Sequence, residues 1–260
     1  MLVAVGYVLA VGIGLSLGLF GGGGSILAVP ILIYVMGVES SAAIAMSLFI
    51  VGSVSLLGVV PYARRGCVNW RIATTFLPTA MVGSYLGSQL VNLPLITDAM
   101  QLTSFGAVML AASLLMISKG SGKERTVPAN MSGFSVPTAS QFPGLLLIPA
   151  EGFGVGIITG FVGVGGGFLI IPALVLLSNI PMKTAVGTSL LIIACNSATG
   201  FIGYLNQISV DWVLMLSFTL AAGIGTLIGS TLSKSVEASR LQKGFGYFVL
   251  TVAMVVLIKQ

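Results

Sequence analysis

The sequence predicts an all-α membrane protein: a polytopic helical bundle of two inverted-topology repeats, each with about four long transmembrane helices plus a half-helix led by a glycine loop. Three observations lead there. Of 260 residues, 56% are hydrophobic and only 7% charged, with a mean hydropathy of +1.11, whereas soluble domains carry about 25% charged residues. The apolar residues are gathered into runs long enough to cross a bilayer, and the two halves of the chain repeat each other at one fixed offset.

A hydrocarbon core about 30 Å thick takes roughly 20 helical residues to cross. Stretches of that order lie near 2 to 20, 40 to 62, 70 to 91, 98 to 118, 144 to 162, 183 to 205, 212 to 233 and 239 to 258. Two further apolar pieces, Ile26 to Met36 and Phe168 to Ser178, are only about 11 residues each and rise roughly 16 Å, so they are read as half-helices. The apolar start, Met1 to Phe20, lacks a basic leader and a small-residue cleavage site, so it is expected to belong to the fold.

An offset of 142 positions sets Gly21, Gly23, Gly24, Leu27 and Pro30 on Gly163, Gly165, Gly166, Leu169 and Pro172 without a gap. The register persists: Ser47 meets Ser189, Tyr62 meets Tyr204, Trp70 meets Trp212, and Gly83 and Gly87 meet Gly225 and Gly229. Coincident glycine, proline, serine and tryptophan positions at one offset mark an internal duplication rather than shared composition. Residues 1–118 and 144–260 are then the two repeats. Between them, 119–143 is rich in Ser, Gly and Pro and reads as a polar cytoplasmic linker.

Charge decides between inverted and parallel halves. If the loop holding Arg64, Arg65 and Arg71 faces one side, inverted repeats put Lys119, Lys123, Arg125, Lys183, Lys234, Arg240 and Lys243 there too, leaving only Lys259 opposite. A parallel arrangement would strand Lys183, Lys234, Arg240 and Lys243 on the other face. The positive-inside rule therefore favours inverted halves, this face cytoplasmic and both termini outside the cell. Asn206, Gln207 and Val213 replace the three arginines in the second copy, as an outward loop allows, and Trp70 and Trp212 would anchor opposite interfaces.

The same arithmetic removes other classes. There is no histidine, and six acidic residues leave little for acid–base pairs or metal cages, so neither an enzyme nor a cofactor is expected. The 11 basic residues are isolated between apolar runs, which argues against nucleic acid as a partner. Cys67 and Cys195 form no disulfide framework and no metal spacing.

The glycine runs Gly21–Ser25 and Gly163–Gly167 each join a long apolar segment to a half-helix. Irregular backbone at membrane depth is tolerated only where protein buries it or where it lines a polar cavity. Each half-helix begins at its loop, so it presents free N–H groups and about half a positive charge there. Brought together, two such ends would favour an anion; a cation would need intramembrane carboxylates or a ring of carbonyls. The candidate binding residues are Gly22, Gly23, Gly24, Ser25, Ser47, Gly165, Gly166, Gly167, Thr188, Ser189 and Asn196. Ser189 and Asn196 lie seven apart and so share a helix face. Glu151, the one acidic residue in an expected span other than Asp98 at the very start of its own, is a candidate for gating or coupling, against the plainer reading of an interfacial residue at a helix start. Neither loop continues into Gly-Lys-Ser/Thr, which excludes a phosphate-binding P-loop.

GGGGSILAVP and GVGGGFLIIP, followed by AIAMSL (Ala43–Leu48) and AVGTSL (Ala185–Leu190), and GYLNQISVDW (Gly203–Trp212), resemble the TauE/SafE sulfite exporter-like family across both halves. The resemblance implies a plasma-membrane transporter, usually an exporter, of sulfur-containing oxyanions such as sulfite, thiosulfate or organosulfonates like sulfoacetate. Its partners would be a small sulfur-containing anion and the lipid bilayer. Ser25 where the second loop has Gly167, and Met46 where the second helix has Thr188, imply unequal halves. Alternating access by rocking repeats is the expected mechanism, with an anion channel or a non-transporting membrane assembly factor as alternatives.

Overall fold

The computed structural model describes residues 2–91, 98–119, 147–162, 167–178, 180–204 and 211–258. These form ten α-helices, and no strand occurs among the described residues. The first half holds α1 (Leu2–Phe20), α2 (Gly23–Tyr34), α3 (Ser40–Ala63), α4 (Trp70–Val91) and α5 (Asp98–Lys119). The second holds α6 (Leu147–Val162), α7 (Gly167–Pro172), α8 (Met182–Tyr204), α9 (Trp212–Ser235) and α10 (Ala238–Ile258). A π-helical turn, Ala173–Leu177, prolongs α7. Most of the 119–143 linker, including Lys123 and Arg125, lies outside the described residues, as do Gly163–Gly166, Asn206, Gln207 and Lys259.

Among the described residues three segments, Ala42–Ala63, Met182–Ile202 and Trp212–Ser235, are long and apolar enough to cross a membrane by length and composition. The sequence led us to expect eight. α4 is long enough at 22 residues, but Arg71, Thr74, Thr75 and Gln89 dilute its hydropathy, and α6 runs to only 16 residues. The outer surface is nonetheless apolar: Val8, Leu56, Leu114, Leu220 and Ile224 stand exposed. Neighbouring apolar side chains left open on this scale mark a surface that meets lipid.

The core lies between the halves. Leu17, Leu32, Met46, Ile50, Phe76 and Phe218 are fully buried and belong to one cluster drawn from both. The halves are interlocked rather than side by side, because α1 packs along α9 and α6 along α4. A Cβ on Gly225 would stand 2.1 Å from the Val11 carbonyl oxygen, and one on Gly83 would stand 2.3 Å from that of Phe153. Likewise Gly229 abuts Leu15 and Gly87 abuts Ile157, while Gly14 abuts Ala222 and Gly156 abuts Ala80. Every one of these contacts recurs 142 positions on. Glycine is required here because backbone meets backbone, which gives close van der Waals packing where lipid removes the usual hydrophobic drive between helices.

The short helices also match. α2, at 12 residues, rises about 18 Å, well short of a full crossing. At its end Met36 donates to Ile31 O (3.2 Å) and Val38 to Leu32 O (3.0 Å); Ser178 donates to Ala173 O (3.3 Å) and Ile180 to Leu174 O (3.0 Å). Gly37, at φ +70°, supplies the left-handed residue that ends the first run.

The equivalent long helices α3 and α8 pack together in opposite senses. Leu48 stands against Gly200, Gly52 against Ser197, Gly58 against Leu190 and Tyr62 against Gly187. The end of α3 therefore meets the start of α8. Basic groups gather at this end: Arg65 Nη1 donates to Ser230 O (3.0 Å) and Lys183 Nζ to Lys234 O (3.4 Å), cations placed on carbonyls at the end of α9. The start of α9 carries Asp211, whose carboxylate accepts from Leu214 N–H (3.0 Å) as an N-cap.

Gly83→Val and Gly225→Val should each lower the melting temperature in detergent by an amount corresponding to about 1–3 kcal/mol of overpacking or more. Gly12→Val, where an added Cβ meets nothing within 4 Å, should leave it unchanged.

Candidate functional site

The chain leaves α1 with Gly21 N–H donating to Leu17 O (2.7 Å), and Gly21 then takes φ +74°, a left-handed conformation natural to glycine alone. That reversal drops the start of α2 back into the middle of the bundle. No side chain caps α2; Ser25 N–H turns back to Gly22 O (3.3 Å), and the N–H groups of Gly23 and Gly24 are the open ones inherent to a helix start. Ser25 Oγ donates to Gly22 O (2.7 Å) and stiffens the turn from within.

The two half-helix starts meet. A Cβ on Gly22 would lie 2.4 Å from Gly167 O, and one on Gly167 would lie 2.9 Å from Ser25 Oγ and 3.0 Å from Ile193 Cδ1. Ser25 and Gly167 are the same position in the two copies, so the equivalent residues stand against each other. Space at such a point admits one side chain and not two. This is the physical reason for the Ser/Gly inequality seen in the sequence.

α8 holds the first loop in place. Ser189 Oγ shares its proton between Gly21 O (3.2 Å) and Val186 O (2.9 Å), and Gly21 has no room for a Cβ beside it. Asn196 lies three residues beyond Ile193 on α8; its Oδ1 is buried and accepts no hydrogen bond. An amide oxygen buried without a partner is costly unless something else supplies a donor.

The other expected residues take different places. Gly23 packs on Phe248 and Ser16, and Gly24 on the Ile13 carbonyl and Leu17, so both seat α2 on its neighbours. Thr188 Oγ1 accepts from Asn69 N–H (3.0 Å), tying the α3–α4 loop to α8, and Ser47 Oγ donates to Ile44 O (2.7 Å) within its own helix. Gly165 and Gly166 lie outside the described residues. Glu151, half-buried near the start of α6, accepts a hydrogen bond from Ser178 Oγ and clasps α6 to the end of the second half-helix. In the first copy the counterparts of Glu151 and Ser178 are apolar, Leu9 and Met36, and Met36 packs on Gly6. Two buried hydroxyls without partners, Ser16 and Ser55, were not singled out from the sequence. A serine within an apolar run is ordinary, and only the structure reveals an empty bond.

Irregular backbone, two short helices begun inside an apolar bundle, and polar atoms awaiting partners define the site class of a membrane transport protein. The relatives agree. Two thirds and more of the chain aligns with proteins named as probable membrane transporter proteins: one from Xylella fastidiosa (strain 9a5c) is 34% identical over 94% of this chain and 91% of its own length. YdhB of Bacillus subtilis is 26% identical over 84% of this chain and 85% of its own, and MJ0441 of Methanocaldococcus jannaschii is 28% identical over 84% and 76%. The model of the sulfite exporter TauE/SafE family matches residues 7–256, and the chain belongs to that family. No solved structure matches it.

The Ser25–Gly167 contact makes a paired prediction. Gly167→Ser should impair transport by forcing two side chains into space for one, and adding Ser25→Gly should restore it, with a coupling of about 0.5–3 kcal/mol in a double-mutant cycle read by thermal unfolding.

Proposed function

We propose that the protein carries small sulfur-containing oxyanions, such as sulfite, thiosulfate or sulfoacetate-like organosulfonates, outward across the plasma membrane. The anion is held where the half-helices begin. The observation that carries this reading is the direct approach of Gly22 to Gly167, which puts the start of α2 against that of α7 in an apolar interior. A bare anion there would cost tens of kcal/mol by Born solvation. Helix-start N–H groups replace lost water and add partial positive charge without a fixed cation.

The two repeats, 1–118 and 144–260, are taken as inverted, with 119–143 a cytoplasmic linker and both termini outside. The opposite course of α3 and α8 supports this, since equivalent helices that pass antiparallel are related by an axis across their length. So does the gathering of Arg65, Lys183 and Lys234 at one end. Alternating access then follows from rocking one set of interlocked helices against the other around the central site. Glu151 and Ser178 supply a polar clasp on the basic side, and Met36 on Gly6 an apolar one opposite, so the two gates are built unequally.

The test is purified protein in vesicles offered sulfite, thiosulfate, sulfoacetate and sulfate one at a time. Saturable flux with counterflow of at least one sulfur oxyanion is expected, and Gly22→Ala should bring it to background while Gly12→Ala keeps it. Absence of anion flux, or flux that rises linearly without saturation, would contradict a carrier.

A further inference from the structure

Building on the reading of the half-helix starts as the anion site, we propose that Ser16 donates a hydrogen bond to the bound oxyanion and is a specificity-determining residue of the first half.

Serines in these helices mostly bond back to the preceding turn. Ser47 donates to Ile44 O, Ser113 to Leu110 O, Ser189 to Val186 O and Ser230 to Leu227 O, all at 2.7–3.0 Å. Ser16 does not. Its side chain is 6% exposed, its Oγ is sealed from solvent, and it has no partner. The hydroxyl is turned towards the start of α2 instead, 2.9 Å from where a Cβ on Gly23 would stand. Gly23 is the first residue of that 12-residue helix, and no side chain caps the turn.

A helix start and an unpaired hydroxyl beside it offer complementary chemistry. The N–H groups point along the helix axis and the hydroxyl approaches from α1, so a pyramidal or tetrahedral oxyanion can present different oxygens to each. The wall behind is aromatic: Phe248 packs on Gly23, and Phe20 stacks on Phe248 with centroids 6.1 Å apart. Weakly screened surroundings strengthen a hydrogen bond to a charged group. The counterpart of Ser16, at the offset of 142, is Ile158. The hydroxyl therefore belongs to one half only, and the anion is held asymmetrically.

A hydroxyl that serves a ligand and one that serves the fold respond oppositely to removal. Ser16→Ala deletes a buried group that bonds to nothing in the protein, so the anion-free melting temperature should hold or rise. The KM for whichever anion the wild type carries should increase about tenfold or more, the loss expected for one hydrogen bond to a charged group. Ile158→Ala, the truncation at the twin position, should leave KM unmoved. The proposal falls if Ser16→Ala keeps the wild-type KM, or if the KM rises together with a drop in anion-free melting temperature, which would make the hydroxyl structural. Wild-type vesicles that carry none of the four anions would bring down the transport reading and this one with it. Wild-type flux beside an unmoved Ser16→Ala KM would bring down this one alone.

Discussion

A helix that starts within hydrocarbon has N–H groups with no carbonyl behind them, and no water to take their place. α2 and α7 both start this way, each after a glycine run, and each against the other at Gly22 and Gly167. The rest of the architecture serves that meeting. Gly21 turns the chain back, Ser189 holds the turn from α8, and the interlocked crossings of α1 with α9 and α6 with α4 keep both loops inside the bundle. Two electropositive helix ends standing against one another repel, which is the physical ground for the anion proposed between them.

The interlocking also bears on motion. Because each half lends its first helix to the fourth helix of the other, each packed unit here is a mixture of both repeats, and the alternating access proposed above would move such mixed units. The glycine seams at Gly83 with Gly87 and Gly225 with Gly229 bring backbones together and so form stiff pairs. The half-helix ends are built differently. Each carries a proline and closes with wide-turn hydrogen bonds, the second through a full π turn, a form frequent at functional sites. They are joined to α1 and α6 by the Met36 and Ser178 contacts, one apolar and one polar.

Much of this was legible in the sequence. Long apolar runs and a single offset located the helices, and the two short apolar pieces stood out because half a bilayer is a length that can be read from a residue count. The glycine loops pointed to the centre because only glycine permits such backbone inside an apolar bundle. What could not be read was how small residues divide their labour. Gly23 and Gly24 look the same as Gly22 in the sequence, yet they pack on α1 and α10 while Gly22 faces the start of α7. Thr188 and Ser189 are adjacent, yet one binds the α3–α4 loop and the other the glycine turn. Ser16 is a plain serine until its empty hydrogen bond is seen. Contacts across the repeat boundary decide these roles, and they depend on three-dimensional register that periodicity does not carry.

The central claim is that twin halves lie in the membrane in opposite senses, so that equivalent loops face opposite sides. With Cys67 and Cys195 replaced by alanine, single cysteines at Arg64 and at Asp211 can be probed in intact cells with a membrane-impermeant thiol reagent. The account predicts labelling at 211 from outside and at 64 only after the membrane is opened. Labelling of both positions from one side would contradict it.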